Sequence, residues 1–385
     1  MFLSSAIITV HLENLRHNLK TLLARHPSLM PVIKADAYGH GVVAVARVLA
    51  EEGIQHMAVG SVGEGALLRQ EGHTAFLLAL MGLARDEDTA LAASYDITPL
   101  VHSRESLERI LAQSHLTGRA KPLTVAIKFD TGMSRLGFLV REGHFDTGVE
   151  SIAAACALPG LEAEGIFTHF AVSDEDDRDS EAYTRAQFDV FTRVLDALAA
   201  GGRTFAIRHC ANSGALARYP EMYLDMVRPG IALYGVGADA QRLDLRPVMS
   251  LKSSVSTIKT FDPGTDVSYG RTFRTQGRTR IGVLPIGYAD GFFRGLSNRM
   301  SVVTAQGPAP QRGRICMDMS MIDLTDLPDV KVGDEVEIFG RRQRVDDLAA
   351  ILNTIPYELT CAVSKRVPRV YIEGGKIVER SLRLL

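Results

Sequence analysis

The run Met30-Pro-Val-Ile-Lys-Ala-Asp-Ala-Tyr-Gly-His-Gly41 sets a lysine at the end of an apolar segment, with a tyrosine, a histidine and two glycines close behind. An ammonium at the mouth of a buried strand is costly unless it is paired, solvated or converted. Lys34 therefore has two fates. It reaches into solvent, the commoner outcome for a lysine, or its amine condenses with an aldehyde cofactor as a Schiff base. The segment alone leaves both open.

Other polar residues fall at comparable places. Lys128 and Asp130 close the apolar run 123–130, and Arg135 follows in Thr131-Gly-Met-Ser-Arg-Leu-Gly137. His169 ends 165–170, Asn212-Ser213-Gly214 follows 205–210, and Arg228, Pro229, Gly230 and Ile231 lie within 226–234. Asn-Ser-Gly entering a helix offers a hydroxyl and free backbone N–H groups to a phosphate, although it is also an ordinary helix cap. Singly, each residue has such an ordinary reading. Their weight comes from sharing one end of the strands.

Those strands alternate with helices through the first 240 residues. Apolar strand candidates are 31–35, 56–60, 75–80, 97–102, 123–130, 165–170, 205–210 and 226–234, and helical patterns include 42–49, 64–70, 104–114, 148–157 and 181–200. This pattern predicts an α/β fold, a (β/α)8 barrel of TIM type with its chemistry at the C-terminal strand ends. A Rossmann-like open sheet is the alternative, weakened because no GxGxxG follows the first strand. After Gly237 the texture changes to short runs at 250–260, 280–285, 299–304, 319–324, 335–340 and 367–374, punctuated by Pro-Gly, Gly-Pro, Gly-Asp and Gly-Gly pairs. That is all-β grammar. The expected domains are a barrel over 1–240, its first few residues free to pair with the second domain, and a C-terminal all-β domain over 241–385.

A formal net charge of −2 over 385 residues gives no electrostatic reason to expect nucleic acid or a membrane surface as partner. Cys156, Cys210, Cys316 and Cys361 form no CxxC pair, which speaks against a metal site or disulfide framework and fits a reducing cytoplasm. The apolar start 1–10 lacks a basic leader and reads as a strand rather than a signal peptide. No apolar run is long enough to span a bilayer.

Over nearly its whole length the chain resembles the alanine racemases, pyridoxal 5'-phosphate (PLP) enzymes built as a barrel plus a β domain. The resemblance rests on Val32–Gly41, Lys128–Gly137, Thr168-His-Phe170, Asn212-Ser213, Arg228–Gly235, Val267–Phe273, Gly287–Gly291, Gly313–Asp318, Ile355-Pro-Tyr357 and Arg366–Tyr371, in that order. It implies that Lys34 carries PLP and that Tyr38, Ser213, Gly230, Ile231 and Tyr357 hold its phosphate, with Asn212 alongside. Arg228 would face the pyridine nitrogen with His169 beside it. Arg135 would reach the cofactor's phenolic oxygen and the substrate carboxylate. Lys128 matches a position that can be carbamylated to buttress that arginine. Tyr269 would be the second catalytic base and Met317 would line the substrate pocket, both supplied by the partner subunit of a head-to-tail homodimer. The amino-terminal strand, and Met319 where glutamine is frequent, depart from the family pattern.

Such residues suit racemisation, which removes a proton from one face of Cα and returns one to the other, so two bases on opposite faces serve it. Lys34 would act on the D side and Tyr269 on the L side. A tyrosine titrating near ~10 needs nearby cations to act as a base, and Arg271 and the His169–Arg228 pair are candidates. An arginine at the pyridine nitrogen cannot accept its proton, which favours return of the proton to Cα over transamination. The expected function is interconversion of L- and D-alanine for cell-wall peptidoglycan. A racemase of serine or lysine, or of broader range, is the enzymatic alternative, and a PLP-binding regulatory protein the non-enzymatic one.

Overall fold

The computed structural model describes residues 6–114 and 122–382. Parallel pairing runs from His56–Val59 to Phe76–Ala79, through a bridge between Leu78 and Thr98 to Leu100–Val101, and on to Leu123–Asp130, Leu161–Phe167 and Ile207–His209. Two irregular segments close the ring. The amide of Arg228 donates to Ala211 O (2.9 Å), Leu29 bridges Val227, and Val32 bridges Ala58. Eight staves result. Leu123–Asp130 is buried at every position but Thr124, as a strand covered on both faces must be.

The first and last staves depart from the expected strands 31–35 and 226–234. Pro229 offers no N–H, its carbonyl accepts from Val32 (2.8 Å), and the chain then winds into a 3-10 helix at Ile231–Tyr234. At the first stave the ladder ends at Ile33. The next residues, Lys34–Tyr38, are helical in hydrogen bonding but left-handed: Ala35, Asp36, Ala37 and Tyr38 all have φ between 53° and 55°. An L-residue there costs about 1–2 kcal/mol, and such residues normally occur singly. Four in a row must be held by their surroundings.

The holding contacts come from both parts of the molecule. Asp36 Oδ1 accepts Val42 N–H (2.8 Å) and Glu64 Oε1 accepts Ala35 N–H (2.8 Å). The Arg369 guanidinium donates to Gly39 O through Nε and Nη2, each at 3.3 Å. A Cβ on Gly39 (φ 84°) would lie 2.2 Å from Thr360 O, so the approach requires glycine.

Arg369 belongs to a seven-stranded sheet in the order Gly307–Pro310, Ser301–Thr304, Glu335–Phe339, Met249–Ser254, Ile7–His11, Arg369–Glu373, Lys376–Ser381. Ile7–His11 therefore pairs within the C-terminal sheet, antiparallel to Met249–Ser254 and parallel to Arg369–Glu373. The rest of the expected leading strand, residues 1–5, lies outside the described residues. A second sheet joins Thr257–Phe261, Thr279–Leu284 and Ser320–Asp323. Two helices interrupt the β grammar, Val345–Leu352 and Pro356–Cys361, the latter opened by a proline in its first turn. No helix among the described residues is long and apolar enough to cross a membrane.

Beneath the left-handed turn lies His40, fully buried and stacked on Tyr234 with ring centroids 4.4 Å apart. Its Nδ1–H donates to Ala37 O (2.9 Å) and Tyr38 O (3.1 Å). Burial is the main reason its pKa falls from 6.5 to about 4. The unfolded chain thus binds a proton between pH 6.5 and 4 that the folded chain refuses, so stability falls as the pH falls through that window. The full cost is about 3 kcal/mol. His40→Asn keeps a donor near Nδ1 but does not titrate. Denaturant unfolding at successive pH values should show a loss on acidification that is shallower in the variant by up to this amount. Parallel pH profiles would mean that His40 does not carry it.

Candidate active site

A cavity of about 530 Å3 opens at the C-terminal ends of the staves, and its lining includes Lys34, Tyr38, Lys128, Arg135, His169, Asn212, Ser213, Arg228, Gly230, Ile231 and Tyr357. Every barrel residue given a site role by the resemblance thus meets at one rim, together with Tyr357 from the helix Pro356–Cys361; Asp130 and Pro229 do not line it.

At one end, Ser213 Oγ accepts the amide N–H groups of Gly230 (2.9 Å) and Ala232 (3.3 Å), drawing the last stave onto the helix Ser213–Arg218. The hydroxyl keeps its own proton to donate. A Cβ on Gly230 would sit 2.7 Å from the Tyr38 hydroxyl, so only glycine leaves that space free. Tyr38 and Tyr357 lie 5.9 Å apart by ring centroid, and burial pushes both phenols up, leaving them as O–H donors. Asn212 behaves differently. Its Oδ1 is committed to Ala215 N–H (3.0 Å) and the Ser173 hydroxyl (2.7 Å), so it shapes the cradle as a helix cap.

Arg228 lies at the base, 3% exposed. It donates through Nη2 to Thr168 O (2.9 Å), Cys210 O (3.2 Å) and His169 Nδ1 (3.3 Å), and through Nη1 to His209 Nδ1 (2.5 Å). Burial draws its pKa down to about 10, which still leaves a cation at neutral pH. Burial, and then Arg228, hold both histidines well below 6.5, so they meet the guanidinium as neutral acceptors. His209 was not singled out in the sequence. Its only signal was a histidine at a strand end two residues before Ala211-Asn212. It stacks on Phe167 at 4.7 Å, and Arg228 lies over the same ring at 5.0 Å.

Two lysines face this cation-rich base. Lys34 is lowered by burial and then by Arg135, which makes its amine more available. Lys128, 3% exposed, falls to about 8 through burial, Arg135 and Arg228, against the opposing pull of Asp130. Asp130 Oδ1 is occupied by Gly132 N–H (2.8 Å) and Ser134 N–H (3.1 Å). Arg135 reaches the cavity from an exposed loop position.

Tyr269 and Met317 are not brought to this cavity. They are 71% and 54% exposed and line a different concavity with Tyr288, Asp318 and Met319. Tyr269 opens a tight turn after Ser268 (φ 66°), whose hydroxyl donates to Arg314 O (2.6 Å). Arg271, expected as a cation for Tyr269, instead donates to Asp266 at 2.5 Å. The Met317 loop is fixed by Ala289 N–H on Met317 O (3.0 Å) and by Arg366, which donates to both Asp318 and Asp290 at 2.7 Å.

These residues fit PLP. The cradle offers hydroxyl donors and a glycine-only space suited to a phosphate, Lys34 offers an amine of lowered pKa, and Arg228 offers N–H donors suited to a ring nitrogen.

Comparison with known proteins agrees. The model of the alanine racemase N-terminal domain matches residues 10–238, and that of the C-terminal domain matches 248–371. Over 371 residues the chain is 43% identical to an alanine racemase of Desulforamulus reducens, covering 94% of this chain and 98% of that one. An alanine racemase of Clostridium difficile 630 has the same fold with a TM-score of 0.92 at 37% identity, covering 100% of both chains. The complex of that organism's enzyme with cycloserine gives 0.90 at 36% identity over 100% of both chains. The cofactor of these isomerases, and of this chain, is PLP. Motif order, barrel-mouth geometry and full-length similarity lead to one conclusion: the chain belongs to the alanine racemase family.

Proposed function

We propose that this protein interconverts L-alanine and D-alanine in a homodimer whose two active sites are each built from both chains. The observation that carries this reading is the split between a cavity holding Lys34, Arg135 and Arg228 and a separate, exposed surface holding Tyr269 and Met317. A head-to-tail partner would bring the second surface over the first cavity. The barrel, 1–240, then holds the cofactor, and the β domain, 241–385, completes the neighbour's site.

PLP, when bound, supplies the electron sink that acidifies the amino acid's Cα–H. Tyr38, Ser213, Tyr357 and the Ile231 amide would hold its phosphate, and Gly230, whose amide is taken by Ser213 Oγ, leaves the space for it. The Lys34 amine exchanges a proton at Cα on the D side, and the Tyr269 hydroxyl of the other chain does so on the L side. Arg135 anchors the substrate carboxylate, and Met317 limits the space for the side chain. Arg228, with neutral His169 and His209 behind it, cannot accept a proton and so leaves the ring nitrogen unprotonated. A Lys128 amine with a pKa of about 8 has a substantial neutral fraction near neutral pH, the form that captures carbon dioxide; as a carbamate it would pair with Arg135. The reaction belongs in the cytoplasm, where D-alanine enters peptidoglycan precursors.

Two experiments test the reading. Circular dichroism with purified protein and PLP should follow racemisation of L-alanine faster than that of L-serine or L-lysine. Borohydride treatment before digestion should leave the cofactor on Lys34, and a label on another lysine would overturn the assignment.

The shared site has a sharper test. Lys34→Ala and Tyr269→Phe should each abolish racemisation in both directions. Mixed and allowed to exchange subunits, they should recover about a quarter of wild-type activity, because half the dimers are mixed and each has one intact site. A mixture that exchanges yet stays inactive would place both residues of each site in one chain.

A further inference from the structure

We infer that Glu64 is a positioning residue for Lys34: its carboxylate ties the first two staves together and holds the left-handed turn from which Lys34 enters the cavity. The inference rests on Lys34 being the PLP lysine. Ser61-Val-Gly-Glu64 has the form of a capping box, in which the glutamate would turn back to the Ser61 amide. Half of that motif forms: Ser61 Oγ accepts Glu64 N–H at 3.3 Å. The glutamate's own side chain goes elsewhere. Oε2 accepts Gly60 N–H at 2.7 Å, and Oε1 accepts Ala35 N–H at 2.8 Å, 29 positions away in sequence.

Ala35 is the first of the four left-handed residues and directly follows Lys34. One carboxylate therefore fixes the amide at the start of the turn against the end of the neighbouring stave. The fit is close, since a Cβ on Gly60 would meet Glu64 Oε2 at 3.1 Å and Lys34 Cβ at 3.4 Å. Other side-chain bonds to the turn act further on: Asp36 on Val42, His40 on Ala37 and Tyr38, Arg369 on Gly39. Charge gives a second link. Among the described residues, burial and Arg135 lower the pKa of the Lys34 amine, and the Glu64 carboxylate, with Cys361, opposes them.

Glu64→Gln preserves shape but has a single acceptor oxygen, so its NH2 must confront one of the two amides. In the full-length variant the PLP dissociation constant, read by absorbance titration, should rise about threefold to tenfold, the scale of a charge-assisted bond lost at amides that solvent partly reaches. Competitive acetylation of the cofactor-free protein across pH should show Lys34 titrating lower than in wild type, because an anion favouring the ammonium is gone. Adding Ala35→Gly, which adopts φ near +53° without strain, should recover much of the affinity.

Wild-type affinity and an unmoved Lys34 profile in Glu64→Gln would overturn the inference, as would an affinity loss that Ala35→Gly leaves untouched. Should Glu64→Gln fail to fold, Ala35→Gly alone decides: the midpoint of thermal unfolding should rise if the turn is strained, and a fall counts against the proposal. Fixation of PLP on a lysine other than Lys34 in wild type would instead remove the site reading itself. The acetylation profile, taken without cofactor, reports on Glu64 separately.

Discussion

A guanidinium buried at the base of a barrel without a carboxylate within 4.0 Å among the described residues constrains everything around it. Arg228 keeps its charge because two carbonyls and two neutral imidazoles accept its protons and the face of Phe167 lies against it. Each element of that solution has consequences. His169 and His209 must stay neutral, so neither is a resident acid. Lys128, through burial, Arg135 and Arg228, and Lys34, through burial and Arg135, are pushed toward the free amine. A carboxylate in place of His209 would offset the charge of Arg228 and weaken its pull on His169 and Lys128. The cavity is an electropositive one whose lysines are nevertheless nucleophilic, and a phosphorylated aldehyde suits both properties.

The same economy governs the anion cradle. On the proposed reading the groups that would hold an anion there are two phenols, a serine hydroxyl and backbone N–H, all neutral. Neutral donors fix the position of an anion without adding to the positive charge already concentrated at Arg228 and Arg135. Keeping cations away from the cradle thus leaves the pull on the lysines to the other end of the cavity, where an amine is needed.

Much of this was legible in the sequence because parallel barrel strands are continuous apolar runs that end in polar residues. Leu123–Asp130 and the helix Arg104–Ser114 have the bounds their patterns predict. What was hidden is what sequence periodicity cannot carry. Little local distinguishes Ala35-Asp-Ala-Tyr38 from a right-handed turn, since beside the adjacent His40 it is held by Glu64 and Arg369 from two remote segments. His209 was lost inside an apolar run, and the helices Val345–Leu352 and Pro356–Cys361 were masked by the turn-rich grammar on either side. Tyr269 and Met317 were singled out by resemblance alone, and in the single chain they lie on an exposed surface apart from the cavity.

The order of assembly follows from the C-terminal sheet. Ile8 pairs with both Leu251 and Arg369, so the centre of that sheet cannot form until the two ends of the chain have met. Contacts of such separation carry a large loop-closure cost and form late. Arg369 sits in the strand whose pairing with Ile7–His11 spans nearly the whole chain, and it is the residue that reaches across to Gly39 O. The barrel can close its ladder at Val32 and Ala58 without that strand, whereas the far end of the left-handed turn is gripped only after it docks. The turn that follows Lys34 therefore gains its last hold with the completion of the β domain, which ties the two parts of the chain into one unit.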